Sequence, residues 1–372
     1  MAPLGLSALR SLLRRGPRPQ AWTPPEASWS RPFGLGWDQP YTVRYASNLD
    51  DGPWHGMPLG GFGAGCIGRS SRGDFNLWHL DGGEHWYGTI PDCQFSLFEN
   101  NGSSKRAHAL ALKPEADASR SNSGEPLAAW NWYPASTGEQ STGTYAARYP
   151  LSWTHYEGVF DAEVQCEAFS PILPGDYQRT SYPVAVFRWT LRNPTDQPLD
   201  LSLLLSWRNT VGWFFNTDPS AEVHFRDDGS PEHNYAPAIG YGEGQRNRWL
   251  DQEGMRGIVL EGQRSEPIGE GQGQWCLAVP DTLDGVEVLR CSRWDPTGDG
   301  QELWQPFAAE GRIPNSNNDR ASRAGEHASA AIALTFTLAP GESREIPIAI
   351  SWDLPVTAFA SGDRDLRRYS DF

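Results

Sequence analysis

The sequence predicts an all-β fold, a large antiparallel β-sandwich with long loops, and three observations indicate this class. Apolar and polar residues alternate in several segments, as in strands that bury one face. The chain has 39 glycines and 30 prolines among 372 residues, spread so that they divide it into short segments, which is typical of all-β proteins. Outside residues 4–13, no long segment keeps the 3.6-residue period of an amphipathic helix.

Two pairs of strands are predicted to form hairpins. The first strand of the first hairpin has an apolar face made by Ala185, Phe187, Trp189 and Leu191. After a turn at 193–198, the second strand continues with Leu199, Leu201, Leu203, Leu205 and Trp207. The second hairpin combines Ile332, Leu334, Phe336 and Leu338 with Ile346, Ile348, Ile350 and Trp352, across a turn at 339–343. A shift of one residue in either register would turn these side chains toward water.

Further strands are predicted at residues 160–168, 258–260, 275–279 and 286–290. Asn101 begins a glycosylation sequon, but Asn-Gly is also a strong hairpin signal, and the turn is favoured. Four irregular stretches cover 116–143, 210–247, 297–300 and 310–326. Long loops usually bind something or are disordered. The stretch 210–247 is rich in aromatic residues, so we expect it to pack on a neighbouring domain or to line a cleft.

At the N-terminus we expect a flexible or extended arm over residues 1–39, followed by the sandwich domain over 40–372. Residues 1–16 contain five leucines, three arginines and no acid. This pattern fits a transit peptide or an amphipathic helix on a membrane surface, but a disordered start is favoured. The apolar run is too short to cross a bilayer, so no transmembrane segment is predicted.

The charge and the cysteines restrict the partners and the compartment. The formal charge is −15, from 46 acidic and 31 basic residues. Such a chain repels phosphate backbones, so no nucleic-acid partner is predicted and a neutral substrate is favoured. The five cysteines are scattered without a Cys-x-x-Cys pair, which indicates reduced thiols in a cytoplasmic protein; peripheral contact with a membrane stays open. The eight histidines lack zinc-ligand spacing, and no metal or cofactor is predicted.

The most informative segment is a glycine-rich motif over residues 56–86. It places six glycines between Gly56 and Gly68, where the backbone must turn tightly or be approached closely. Polar and aromatic side chains follow, namely Arg69, Arg72, Asp74, Asn76, Trp78 and His79. This mixture suits a sugar better than a phosphate. The chain also has 17 tryptophans, which are either core residues or flat platforms for sugar rings.

Two other motifs lack the neighbouring residues or elements that their functions require. Residues 63–68 match a dinucleotide fingerprint, but a turn follows Gly68 where the fingerprint needs a helix. Residues 295–300 imitate the start of a calcium loop, but Pro306 stands at the position of the bidentate glutamate. An accidental Asp-Gly turn is therefore favoured, and a surface calcium held by other oxygens stays open.

Catalytic carboxyl groups are not assigned. A retaining glycoside hydrolase needs two of them about 5 to 5.5 Å apart. Asp74 with Asp81 or Glu84 is the best pair within this chain. The alternative, that these acids cap turns or pair with arginines, is favoured.

The glycine-rich motif resembles the opening motif of the non-lysosomal glucosylceramidase family, also called bile-acid β-glucosidase or glycoside hydrolase family 116. The resemblance continues in family order through residues 130–132, 170–177, 182–187, 206–209, 294–304, 350–355 and 367–372. A match of this length is more specific than any single motif. It implies the N-terminal β-sandwich domain of the family, without the C-terminal (α/α)6 catalytic barrel.

The resemblance also implies an activity and partners. Complete members of the family are implied to be retaining hydrolases of β-glucosides, with glucosylceramide-like or other aglycones and without a cofactor. Their nucleophile Glu and acid/base Asp lie in the barrel, so this chain is implied to have no catalytic residue. The implied partners are a β-glucoside and the barrel, either in the same polypeptide or on a separate chain.

If the motif faces the barrel, its six polar and aromatic residues brace the active-site mouth or touch the outer part of the substrate. Interdomain salt bridges and packing are favoured over that role. Gly60, Gly61, Gly63 and Gly65 would allow the backbone of the partner domain to approach closely. Two other functions stay open: a stand-alone carbohydrate-binding sandwich, which predicts exposed tryptophans in a groove, and an inactive truncated gene product. If the chain is instead one half of an enzyme, we expect an exposed apolar patch where the other half would pack.

Overall fold

Two antiparallel sheets pack face to face in the computed structural model, which describes residues 24–34, 56–81, 86–114, 127–213, 224–225, 231–232, 242–358 and 364–371. The first twelve strands are β1 (Trp29–Pro32), β2 (Met57–Leu59), β3 (Cys66–Arg69), β4 (Phe75–His79), β5 (Trp86–Tyr87), β6 (Gln94–Asn100), β7 (Lys105–Ala109), β8 (Gly143–Arg148), β9 (Leu151–Tyr156), β10 (Glu163–Phe169), β11 (Val184–Arg192) and β12 (Leu199–Arg208). The next ten are β13 (His224–Phe225), β14 (Pro231–Glu232), β15 (Arg246–Gln252), β16 (Met255–Glu261), β17 (Gln274–Val279), β18 (Glu287–Trp294), β19 (Ser329–Leu338), β20 (Ser343–Asp353), β21 (Val356–Ala358) and β22 (Arg364–Leu366). Two helices, α1 (Tyr177–Thr180) and α2 (Gln301–Glu310), and a 3-10 turn at Arg368–Asp371 accompany them.

The larger sheet has nine strands in the order β1-β8-β9-β10-β11-β20-β17-β16-β15. The smaller sheet has five, in the order β18-β19-β12-β6-β7. A third sheet of four strands, β2-β3-β4-β5, and the ribbons β13-β14 and β21-β22 are separate from both. All these neighbours run antiparallel. The predicted all-β, antiparallel class is therefore confirmed.

The core lies between the two larger sheets. Phe95 of β6 packs against Phe187 and Trp189 of β11, with ring centroids 5.0 Å apart in both pairs, so side chains of opposite sheets interdigitate. Every residue of the apolar faces predicted in both pairs of strands is buried. The alternation of apolar and polar residues thus identified the core faces correctly.

The predicted pairing within the two hairpins is wrong. β11 pairs with β10 and β20 in the larger sheet, whereas β12 pairs with β6 and β19 in the smaller one. The turns at 193–198 and 339–343 therefore cross between the sheets. An apolar face shows that one side of a strand is buried but not whether its successor lies beside it or opposite it. The two crossings are adjacent, because the Asn193 N–H donates to Glu342 O at 2.9 Å.

Helix α2 covers the outer face of the smaller sheet, and the sequence analysis missed it. Leu303, Trp304 and Phe307 are its buried residues, too few for a clear 3.6-residue period, and Pro306 lies inside it. Trp304 stacks on Trp130, with ring centroids 4.9 Å apart and an angle of 21° between the planes. The helix therefore belongs to a second apolar layer, in a segment between two of the predicted irregular stretches for which no element was predicted.

Several smaller predictions have outcomes in the described residues. Residues 29–32 form an edge strand beside β8, so part of the predicted arm belongs to the larger sheet. Asn101 makes a turn between β6 and β7, where its Oδ1 accepts from the Ser103 and Ser104 N–H groups at 2.9 and 2.8 Å. Most of the aromatic stretch 210–247 lies outside the described residues. Within the described part of the chain, no helix is both long and apolar enough to cross a membrane.

Candidate functional site

The glycine-rich motif forms the four-stranded sheet and the loop between β2 and β3. At Gly60 the backbone has φ +142°, and a Cβ there would lie 2.2 Å from Gly65 O. The Gly60 N–H donates to Ser170 Oγ at 2.7 Å, and the Ser170 hydroxyl donates to Val184 O at 2.6 Å. The loop is thereby fixed to the first residue of β11.

Helix α1 lies against the next part of this loop. A Cβ at Gly61 would lie 2.4 Å from Thr180 O, and the Phe62 N–H donates to the same oxygen at 2.9 Å. Only a residue without a side chain allows the two backbones to come this close. The backbone that approaches Gly61 closely belongs to this domain, and the predicted approach of a partner domain stays a prediction.

The C-terminal segment lies on the far part of the loop. Gly65 has φ +79°, and a Cβ there would lie 2.9 Å from Arg367 Nη1. The Arg367 guanidinium donates to Leu80 O at 2.7 Å. A Cβ at Gly63 would lie 3.7 Å from Arg368 Cβ, an ordinary contact. These glycines thus also serve contacts within the domain.

Arg69 lies in the core and does not face a substrate or a partner domain. Only 3% of the residue is exposed. Its Nη2 donates to Leu110 O at 2.7 Å and to Tyr156 Oη at 2.5 Å. Its Cζ lies 5.5 Å from the ring centroids of both Phe95 and Trp189. The aromatic rings and a carbonyl oxygen, rather than a carboxylate, stabilise this buried cation.

Trp78 and Asp74 are buried as well. Trp78 has no exposed surface, and its indole N–H donates to Gly88 O at 2.8 Å. The Asp74 carboxylate accepts from the Ser70 and Thr89 hydroxyl groups. Burial removes Arg69, Trp78 and Asp74 from the candidate contact residues. Arg72, Asn76 and His79 are half-buried.

Asp74 and Asp81 are too far apart to form a catalytic pair. They lie beyond opposite ends of the five-residue strand β4, and an extended strand of that length spans about 17 Å. Catalytic carboxyl groups lie about 5 to 9.5 Å apart. Both aspartates are also buried, and Glu84 lies outside the described residues. In the calcium-like segment, the Asp295 carboxylate accepts from the Thr297 N–H at 2.9 Å, as in an ordinary turn.

An exposed apolar surface surrounds the glycine loop, and the sequence analysis did not find it. We call it the loop-60 surface. It contains every exposed large apolar side chain among the described residues: Phe62 (54% exposed), Tyr149 (53%), Leu173 (39%), Tyr177 (67%) and Leu366 (62%). In the sequence these residues look like core, because nothing there shows which aromatic side chains point outward.

Contacts join some of the segments that carry these exposed side chains. Leu173 is joined to α1, because its N–H donates to Thr180 Oγ1 at 2.9 Å. The Arg368 guanidinium lies 5.1 Å from the centroid of the Tyr177 ring. Burial and then the neighbouring Cys66 thiol raise the pKa of the Tyr149 phenol, so this ring lies beside β3. The segments that carry Phe62, Leu173 and Tyr177 and the turn that begins at Arg368 therefore lie close together.

Comparison with known families identifies the class of the domain. The profile of the family described as beta-glucosidase 2, glycosyl-hydrolase family 116 N-term, matches residues 56–372. The match covers most of the chain. The chain therefore belongs to the N-terminal domain family of glycoside hydrolase family 116, as the resemblance implied.

Two solved structures that match part of this chain are distant from it in sequence. A putative kojibiose phosphorylase from the human microbiome is 7% identical, with a TM-score of 0.33. The match covers 86% of this chain and 32% of the phosphorylase chain. A family GH92 alpha-mannosidase from Bacteroides thetaiotaomicron is 12% identical, with a TM-score of 0.29. The match covers 82% of this chain and 32% of the mannosidase chain. The chain thus spans about a third of the length of these proteins.

Proposed function

We propose that this chain is the non-catalytic N-terminal domain of a β-glucosidase that resembles glucosylceramidases. Membership of the family over residues 56–372 carries the proposal. The activity then requires an (α/α)6 catalytic barrel, in the same polypeptide or on a separate chain. The substrate class is a β-glucoside with a glucosylceramide-like or other aglycone, and the compartment is the cytoplasm.

The chemistry of the described residues supports a non-catalytic role. Of the carboxylates considered for catalysis, those of Asp74 and Asp81 are buried, and that of Asp74 already accepts hydrogen bonds from two hydroxyl groups. Burial raises the pKa of the Cys66, Cys166 and Cys276 thiols to about 12, so these thiols are protonated and poor nucleophiles at neutral pH. Arg72, Asn76 and His79 remain our candidates for contact with the barrel or with the outer part of a substrate.

The tryptophans give less support to a stand-alone carbohydrate-binding module. That function needs exposed rings in a groove, and the tryptophans with described side chains are buried or half-buried. They form core clusters, such as the stack of Trp130 on Trp304. The loop-60 surface is apolar and exposed instead, which is the pattern expected of half of an enzyme.

Two solution measurements on the same sample separate these functions. We expect calorimetric titration of the chain with octyl β-glucoside and cellobiose to show no binding. Size-exclusion chromatography of the chain, mixed with the family 116 catalytic domain of the same organism, should give a co-eluting complex. Sugar binding without co-elution would contradict our proposal and favour a carbohydrate-binding module.

A further inference from the structure

We infer that water molecules are bound inside this domain, at a buried polar patch on the outer face of the smaller sheet. The patch consists of Gln94 and Ser96 of β6 and Ser206 of β12, and we call it the Gln94 patch. None of the three residues has exposed surface. Both polar atoms of the Gln94 amide and the two serine hydroxyl oxygens have no hydrogen-bond partner among the described residues. The inference does not depend on the proposed function.

The strand register brings these three side chains together. Ser206 lies directly opposite Gln94 in the antiparallel pair of β6 and β12, and the Cβ atoms of residues at such positions are about 4.5 to 5.5 Å apart. Ser96 follows Gln94 by two residues and therefore points to the same face of the sheet. That face is the outer one, because Phe95 between them packs into the core against Phe187.

The residues beside the Gln94 patch have small side chains. Ala331 lies opposite Ser206 on β19, and Ala109 lies opposite Ser96 on β7. Both alanines belong to the buried apolar layer that contains Trp304 of α2. An alanine leaves more room beside a polar group than a larger residue would, and a bound water needs such room as well as polar partners.

The polar residues next to the patch bond one another instead of the patch. Arg208 follows Ser206 by two residues on β12, and its guanidinium donates to the Asp92 carboxylate. The Ser329 hydroxyl donates to the same carboxylate. These groups make no hydrogen bond to Gln94 or Ser206 in the described part of the chain. The buried ion pair therefore does not supply the partners that the patch needs.

Water is the ligand that fits these groups. An amide side chain offers donors and an acceptor, and a serine hydroxyl both donates and accepts, so the patch suits a molecule that does both. Internal waters typically make about three hydrogen bonds to buried polar groups that have no other partner. A buried polar atom that is left without a hydrogen bond costs free energy, and the patch contains four of them. Because all three residues are fully buried, no open groove admits a larger ligand such as a sugar.

The sign of a change in Tm tests the inference. The variant is Ser206→Ala, and the matched control is Ser202→Ala, on the same face of β12. Ser202 is also fully buried, but its hydroxyl lies 3.2 Å from Thr335 Oγ1. If water binds Ser206, the variant loses a hydrogen bond, and we expect the Tm of the full chain to fall by about 1 to 3 °C, as for the control. If the hydroxyl is dry and unpaired, its removal relieves a buried polar group, so a Tm that stays the same or rises for Ser206→Ala alone would overturn the inference.

A high-resolution crystal structure of the full chain shows the occupant directly. We expect ordered water within about 3.2 Å of both the Gln94 amide and Ser206 Oγ. If Gln94 instead bonds the two serines directly and no ordered water lies between them, the inference is wrong. Neither measurement involves a catalytic domain or a glucoside, so the result leaves the proposed function unaffected.

Discussion

At the scale of single residues, Gly61 sets how closely the loop and helix α1 approach. A methyl group at this position would lie 2.4 Å from both Thr180 O and the Ser181 carbonyl carbon, far inside van der Waals contact. We expect Gly61→Ala to lower the free energy of unfolding by about 1–3 kcal/mol through overpacking, measured by urea denaturation. Gly298 has no atom within 4 Å of its Cβ position, so Gly298→Ala should be nearly neutral. Equal effects of the two substitutions would contradict this packing.

The buried ion pair of Asp92 and Arg208 is a second residue-scale test. Asp92 has no exposed surface; its carboxylate accepts from Arg208 Nε at 3.1 Å and from the Ser329 hydroxyl. Asp92→Asn leaves the guanidinium without its counter-charge, and we expect a loss of about 3–5 kcal/mol in the free energy of unfolding. Ser329→Ala removes one hydrogen bond and should cost about 1 kcal/mol. Similar small losses of stability in both variants would show that Asp92 does not stabilise the charge of Arg208.

His108 predicts a pH dependence of stability. Burial, assisted by the charge of Arg106, lowers the pKa of His108 below 6.5 in spite of its hydrogen bond with Trp132 O. The unfolded chain therefore binds more protons than the folded chain, and stability falls as pH drops through the unfolded pKa of about 6.5. We expect His108→Asn to reduce the loss of stability between pH 7.5 and 5.5, measured by denaturation at both pH values. An unchanged slope would contradict the shift.

At the scale of elements, α2 depends on its apolar layer rather than on helix propensity. Trp304 is 3% exposed and stacks on Trp130. We expect Trp304→Ala to cost about 3–5 kcal/mol of unfolding free energy, as for other buried aromatic residues. Gln305 is exposed on the same helix, so Gln305→Ala should change stability by less than about 0.5 kcal/mol. A small loss at Trp304 would contradict the role of this layer.

The elements also show how far the sequence could be interpreted. Alternation identifies the core-facing sides of β11, β12, β19 and β20, because successive side chains of a strand point to opposite faces and only one face meets the opposite sheet. The same alternation does not determine which strands pair, since that depends on contacts distant in sequence. Helix α2 has too few apolar positions to show a period. The turn at Asn101 was predictable because its cause is local.

The candidate site could be predicted only in part. Glycines indicated close backbone approach, and the approach exists at Gly60, Gly61 and Gly65. The backbone that approaches these glycines belongs to the same domain. A local sequence pattern cannot show whether the approaching segment comes from the same domain or from another one. Polar side chains suggested a surface, but Arg69 is buried among aromatic rings. From the sequence alone, a buried arginine among aromatic residues cannot be distinguished from an arginine that binds a ligand.

At the scale of the whole molecule, two packed sheets form the core of the described residues, and exposed apolar side chains lie near the glycine loop of the third sheet. In our proposal this domain serves an enzyme without performing the reaction itself, and the family match over residues 56–372 and the burial of Asp74 and Asp81 support it. In our account the glycine loop orders this end of the sandwich.

Turnover of a fluorogenic β-glucoside is the most direct test of this account. We expect the chain alone to hydrolyse the substrate no faster than buffer. Addition of the family 116 catalytic domain of the same organism should give activity above that of the catalytic domain alone. Turnover by the purified chain alone would contradict the account and would make Asp74, Asp81 and Glu84 the first residues to replace.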